Sequence, residues 1–153
     1  MISDYLTKCF FELNSNSVNY CVLRDYENLP FSFNNDIDIL VDEIDFNKAI
    51  NIFKQSSTNN IFLIKIKSRF GYSGLYFFDN ELNKIFLIDI FFRLQKKWRN
   101  YIDTSIILDK KVLFNNFYVI ENNCEVYTIC VKELLTYGLV RKKYYNRIKN
   151  IKI

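Results

Sequence analysis

The sequence predicts an α+β (mixed α/β) fold, with a mixed β-sheet flanked by helices. Apolar residues at helical spacing and short apolar runs of strand length succeed one another without strict βαβ alternation. The 153 residues are 50% hydrophobic and 25% charged, enough for one hydrophobic core in one domain. No repeat, linker or low-complexity segment interrupts them. A single domain over 1–153 is expected, with a core at about 1–95 and a helical, basic extension at about 96–153.

Taken in order, Ile2, Tyr5, Leu6, Cys9, Phe10 and Leu13 recur at i, i+3, i+4, i+7, i+8 and i+11, which predicts an amphipathic helix with Ser3 as its N-cap. Residues 14–17, Asn-Ser-Asn-Ser, end it. Residues 18–23 form a short apolar run and predict a buried strand. Residues 24–35 contain the only proline, Pro30, and the pair Asn34-Asn35, and predict a loop. Residues 36–41 alternate and then continue apolar, as a strand does. Phe46, Ala49, Ile50 and Phe53 mark a second helix. Residues 61–66 and 75–78 predict a hairpin turning through Gly71-Tyr72-Ser73-Gly74. Residues 84–94 predict a third β run. Residues 96–109 are polar and partly helical, and 112–120 predict a small hairpin around Asn115-Asn116. From Glu125 onward Val131, Leu134, Leu135, Val140 and Ile148 have helical spacing, with Gly138 as a weak point.

Composition excludes several chemistries. The chain has no histidine, which removes Ser-His-Asp and Cys-His catalysis and every histidine-containing zinc site. The three glycines, Gly71, Gly74 and Gly138, sit in neither a P-loop nor a Rossmann frame. The four cysteines form no C-x-x-C pair. Cys9 and Cys21 fall on apolar positions, as small hydrophobes in a reducing compartment do. No apolar run reaches 18 residues, and the start of the chain has no basic region followed by an apolar one. Neither a membrane span nor a secretory leader is therefore expected, and the cytoplasm is the expected location. Charge is uneven. Residues 132–153 carry a net +6 and residues 1–131 a net −2. A basic end suits an anionic partner such as a nucleotide, nucleic acid or lipid headgroup, or a solvated helix face.

The sharpest feature is Asp36-Ile37-Asp38-Ile39-Leu40-Val41. Side chains two apart on a strand share a face, so Asp36 and Asp38 point one way and Ile37, Ile39 and Val41 the other. Asp89 is a second signal, a carboxylate inside the run Phe86-Leu87-Ile88-Asp89-Ile90-Phe91-Phe92, where an unpaired charge is costly to bury. One helix and one hairpin fit between the two segments. If their strands are neighbours, about 4.8 Å apart, three carboxylates share one patch. Such a patch suits divalent cations and in-line displacement at phosphorus.

These segments, together with Tyr20-Cys21-Val22-Leu23-Arg24-Asp25-Tyr26-Glu27-Asn28-Leu29-Pro30, resemble the nucleotidyltransferase superfamily with the DNA polymerase β-like fold. Within it they look most like a bacterial nucleotidyltransferase-like group often found near surface-polysaccharide genes. The resemblance covers roughly residues 1–95 and, more loosely, 141–147. It implies Mg²⁺ or Mn²⁺ held by Asp36, Asp38 and Asp89, and transfer of a nucleotidyl group from a nucleoside triphosphate to a hydroxyl acceptor. Asp89 would also help deprotonate that hydroxyl. The chain departs from the family after the first strand. There the superfamily usually has a Gly-Gly or Gly-Ser turn for the triphosphate, and this chain has Leu23-Arg24-Asp25-Tyr26. Either Arg24 supplies a charge-assisted phosphate contact or triphosphate binding is lost. Further candidates for substrate contact are Arg93, which shares a strand face with Asp89, and Lys142 and Lys143 on the terminal helix. Tyr26, Trp98, Tyr101, Tyr144 and Tyr145 are candidates for base stacking.

Four functions remain open on these residues: a metal-dependent nucleotidyltransferase acting on a glycan precursor, protein or RNA; a non-catalytic or regulatory relative; a D-x-D glycosyltransferase; and a nucleic-acid binder working through the basic end.

Overall fold

The computed structural model describes residues 2–33, 36–96 and 99–151. Asn34-Asn35, Trp98 and Lys152 lie outside the described residues.

The first helix, α1 (Ile2–Ser15), leads into β1 (Tyr20–Val22) and β2 (Asp36–Val41), and α2 spans Phe46–Gln55. Three long strands follow, β3 (Ile61–Arg69), β4 (Tyr72–Asp79) and β5 (Lys84–Phe91). A two-stranded ribbon of β6 (Gln95–Lys96) and β7 (Arg99–Asn100) precedes α3 (Thr104–Asp109). The hairpin β8 (Val112–Phe114) and β9 (Phe117–Val119) leads to α4 (Asn122–Tyr137), a 3-10 turn at Lys142–Tyr144 and α5 (Tyr145–Asn150).

Seven strands make one mixed sheet in the order β3-β4-β5-β2-β1-β9-β8. At its centre β2 and β5 run parallel, while β1 is antiparallel to β2. The architecture is the mixed sheet flanked by helices that the sequence predicts. β1 joins β9 in parallel, so the hairpin at 112–119 extends the main sheet.

Alternation along the central strands divides the sheet into two chemically different faces. Ile37, Ile39 and Val41 of β2 and Phe86, Ile88 and Ile90 of β5 lie in the core. α1 and α2 cover that face. Tyr5 of α1 packs against Phe77 and Phe86, with ring centroids 5.3 and 6.1 Å away. Its hydroxyl donates to the Phe53 carbonyl at the end of α2, at 2.9 Å. Cys9 is fully buried here, Cys21, the register partner of Leu40, is fully buried on the other face, and all four cysteines are free thiols. The opposite face carries Asp36, Asp38 and Asp89.

Three sequence expectations shift locally. Ser3 lies inside the first turn of α1 and does not precede it. The β3–β4 turn is confined to Phe70-Gly71, so Tyr72, Ser73 and Gly74 are strand residues. Gly138 terminates α4 in the left-handed conformation (φ 72°) that glycine adopts without steric cost, and its N–H bonds the Leu134 carbonyl at 2.9 Å. The terminal segment is therefore a helix, a 3-10 turn and a short helix, with Lys142 and Lys143 in the turn. Among the described residues no helix is long and apolar enough to cross a membrane.

Candidate functional site

The parallel pairing of β2 with β5 sets the site. Asp38 and Asp89 are direct register partners, and Asp36 is opposite Leu87, one side-chain step away on the same face. The three carboxylates bring ligand oxygens within 4.8 Å of one another. All three ligands are hard oxygens, and the chain has no imidazole to add. Hard divalent cations take such a set, and like-charged carboxylates this close need a counter-charge. The burial gradient is steep: Asp36 is exposed, Asp89 half-buried and Asp38 buried. Burial raises the Asp38 carboxyl above the usual carboxylate range, against the pull of Arg24. Burial raises Asp89 as well, opposed by a hydrogen bond from Tyr72 and reinforced by Asp38 and Asp36.

Two neighbours fix these carboxylates. Arg24 lies two residues past the end of β1, and the Leu23 N–H bonds the Asp38 carbonyl at 2.9 Å, which brings Arg24 alongside β2. Its Nε donates to Asp38 Oδ2 at 2.5 Å, and its Nη1 donates to the Tyr144 hydroxyl at 3.1 Å. Tyr72 of β4 donates its hydroxyl to Asp89 Oδ1 at 2.6 Å. Gly74 makes room for that bond. It is the register partner of Asp89, and a Cβ there would lie 2.3 Å from the Tyr72 hydroxyl oxygen and 3.1 Å from Asp89 Oδ1.

Asp38 and Asp89 line a cavity of about 350 Å³ between the sheet and α4. Along α4, Glu125, Ile129, Lys132, Thr136 and their helical neighbours face it at i, i+4, i+7 and i+11. Arg69, Arg93, Lys132 and Arg141 bring positive charge to its walls, and Tyr101, Tyr137 and Tyr144 bring aromatic rings. Burial pushes the Tyr101 hydroxyl up to about 12, so it is a neutral donor at pH 7. A cavity with carboxylates at its floor and cations and aromatic rings on its walls suits a polyphosphate carrying an aromatic base.

The sequence candidates divide on these facts. Asp36, Asp38 and Asp89 come together, with Arg24 on Asp38. Arg93 lines the cavity, shares an ion pair with Glu43 at 3.3 Å and stacks on Phe70 at 4.7 Å. Tyr26 does not reach the cavity. It is buried, packs against Phe114 at 5.5 Å and donates to Glu125 at 3.4 Å. Lys142 and Lys143 are absent from the cavity wall, while Arg141 and Tyr144 on either side of them are present.

The basic end is also less free than its net charge implies. Arg141 forms a bidentate pair with buried Glu133 at 2.5 and 2.7 Å. This pairing holds the Glu133 carboxyl below its ordinary range. Arg147 pairs with buried Glu125 at 2.7 and 3.1 Å and also contacts Glu27.

Sequence reasoning missed Tyr72, Gly74, Arg69 and Lys132. Tyr72 and Gly74 were hidden by the reading of residues 71–74 as a turn. Three residues of strand extension, from 75 back to 72, would have placed both on the Asp89 face.

No family model and no curated protein matches the chain by sequence. Solved structures do match in fold. JHP933 from Helicobacter pylori superposes with a TM-score of 0.59 at 10% identity, covering 97% of this chain and 62% of that one. A "putative nucleotidyltransferase" from H. pylori superposes with a TM-score of 0.53 at 11% identity, covering 83% of this chain and 55% of that one. The chain thus spans less than two thirds of the length of either neighbour.

Proposed function

We propose that this chain is a divalent-cation-dependent nucleotidyltransferase that moves a nucleotidyl group from a nucleoside triphosphate to a hydroxyl acceptor. The carrying observation is the gathering of Asp36, Asp38 and Asp89 within 4.8 Å on one sheet face, two of them at the floor of the cavity. The likeness in fold and the sequence resemblance support the same reading. Asp36, Asp38 and Asp89 would hold Mg²⁺ or Mn²⁺, which supplies charge neutralisation at the phosphates when bound.

The chain's own groups do the rest. Arg69, Arg93 and Lys132 orient the anionic phosphates from the walls. Tyr101 or Tyr144 offers a face to the base. Asp89 takes the proton of the acceptor hydroxyl as its oxygen bonds the α-phosphorus, and the bond to the β-phosphate breaks with pyrophosphate leaving. The acceptor is a hydroxyl on a glycan precursor, which fits the surface-polysaccharide group that the sequence resembles. Protein or RNA hydroxyls are the other arms of the test.

One observation favours a second reading, a nucleotidyltransferase-fold binding or regulatory domain without turnover. The segment after β1 has a charged Arg24-Asp25 where a glycine turn would let backbone approach phosphate, and Arg24 is already committed to Asp38.

The test is incubation with α-labelled nucleoside triphosphates, Mg²⁺ or Mn²⁺, and fractions of glycan precursor, protein and RNA. Label transfer by the wild type and not by Asp38→Asn supports catalysis. Equal labelling by both removes the triad from the reaction. Triphosphate binding without any transfer establishes the second reading.

A further inference from the structure

The Arg24–Asp38 contact has a consequence for cation binding that rests on the proposed reading of the triad. Asp38 is the deepest of the three carboxylates, its side chain 9% exposed, and Arg24 approaches it from a partly open position, 24% exposed. The Nε–Oδ2 separation of 2.5 Å places a full positive charge against one oxygen of a carboxylate that belongs to the acidic cluster. A Mg²⁺-sized cation needs carboxylate oxygens at about 2.0–2.1 Å. An oxygen already accepting from a guanidinium at this distance is a poor ligand, and a second positive charge beside it repels the first.

We infer that Arg24 is a built-in competitor for the divalent cation, a positioning residue that neutralises Asp38 until a cation displaces it. Two features make the displacement feasible. Arg24 borders the cavity, so its guanidinium has space on the phosphate side. Its second anchor is the Tyr144 hydroxyl, a neutral acceptor that holds it less firmly than a carboxylate does. The terminal segment thereby sets how readily the site accepts metal. Tyr144 follows Arg141, whose pair with Glu133 ties that segment to α4.

The experiment is Mn²⁺ titration followed by electron paramagnetic resonance of the free ion, on wild type, Arg24→Gln, Arg24→Lys and Arg24→Gln/Asp38→Asn. Circular dichroism first confirms that each variant is folded. Arg24→Gln is expected to bind Mn²⁺ at least tenfold more tightly than wild type. Arg24→Lys keeps the charge and is expected within about threefold of wild type, and the double variant loses the gain. Asp38-dependent Mn²⁺ binding by wild type with no tightening in Arg24→Gln overturns the competition and leaves the triad standing as a cation site. Absence of Mn²⁺ binding in both wild type and folded Arg24→Gln overturns the competition and the cation-site reading together.

Discussion

The Tyr72 hydroxyl reaches Asp89 Oδ1 at 2.6 Å across the space left by Gly74. The two residues are 17 apart in sequence and sit on adjacent antiparallel strands. A single donor thus fixes the rotamer of one triad carboxylate.

Gly74→Ala is expected to break this arrangement. The new Cβ would stand 2.3 Å from the Tyr72 oxygen, so the ring must swing away and Asp89 loses its donor. Under the proposed activity, nucleotidyl transfer should fall about tenfold or more, in the range expected when a reacting group is misplaced. Tyr72→Phe should give a smaller loss, because the ring still limits where Asp89 can turn. Transfer rates of the two variants, compared with unfolding midpoints, separate the positional effect from simple destabilisation.

Arg147 should matter for stability. Its guanidinium is the charge partner of Glu125, whose side chain is 1% exposed. Burial raises the Glu125 carboxyl, opposed by Arg147. Arg147→Met leaves that carboxylate unpaired and should cost about 2–3 kcal/mol, discounted from a fully buried pair because the arginine has an open edge. Arg147→Met combined with Glu125→Gln should recover part of the loss. Urea unfolding of the double-mutant cycle measures both.

Tyr26 and Lys142 make a contrast between a packed and an unpacked candidate. Tyr26→Ala removes a buried ring that packs on Phe114 and should cost about 3 kcal/mol. Lys142→Ala should change stability by less than about 0.5 kcal/mol. Neither is expected to alter the Mn²⁺ affinity of the folded protein by more than about twofold. A nucleotide-binding defect in folded Lys142→Ala would contradict its position off the cavity wall.

Alkaline pH should unfold the protein through its core thiols. Burial pushes Cys9 and Cys21 up to about 12 each, against about 8.5 for an exposed thiol. With a raised folded value, the native state keeps protons that the unfolded chain releases. Stability is therefore full below about pH 8.5 and falls as pH rises toward 12, by up to about 1.4 kcal/mol per pH unit for each thiol. Cys21→Ala should flatten that slope in a series of denaturant midpoints from pH 8 to 11. The same burial predicts that, in native protein, iodoacetamide modifies Cys124 and Cys130 well before Cys9 and Cys21.

Much of this structure was legible in the residues. The alternation of Asp36, Ile37, Asp38 and Ile39 gave the two faces of β2, and the isolated Asp89 in an apolar run marked its partner strand. The seven-stranded topology was not legible, because strand pairing depends on contacts between distant segments that local periodicity does not encode. The pairing within the basic end was not legible for a related reason. Net charge counts residues, whereas Arg141 and Arg147 are matched by Glu133 and Glu125 only once α4 places those acids beside them. Tyr26 was singled out by its nearness in sequence to the first strand, but its ring turns toward Phe114 and Glu125. Tyr72 was hidden because Gly71 and Gly74 together resemble a turn, although Gly74 serves as clearance for a side chain.

The facing of Asp38 and Asp89 on one rung of a parallel pair means that folding itself forces two anions together at the middle of the sheet. Like charges directly opposite weaken a sheet. The protein should therefore be sturdier with the site disarmed. Asp89→Asn, which can still accept from Tyr72, is expected to raise the melting temperature and, under the proposed reading, to abolish cation binding, so selection for stability alone would erase this position.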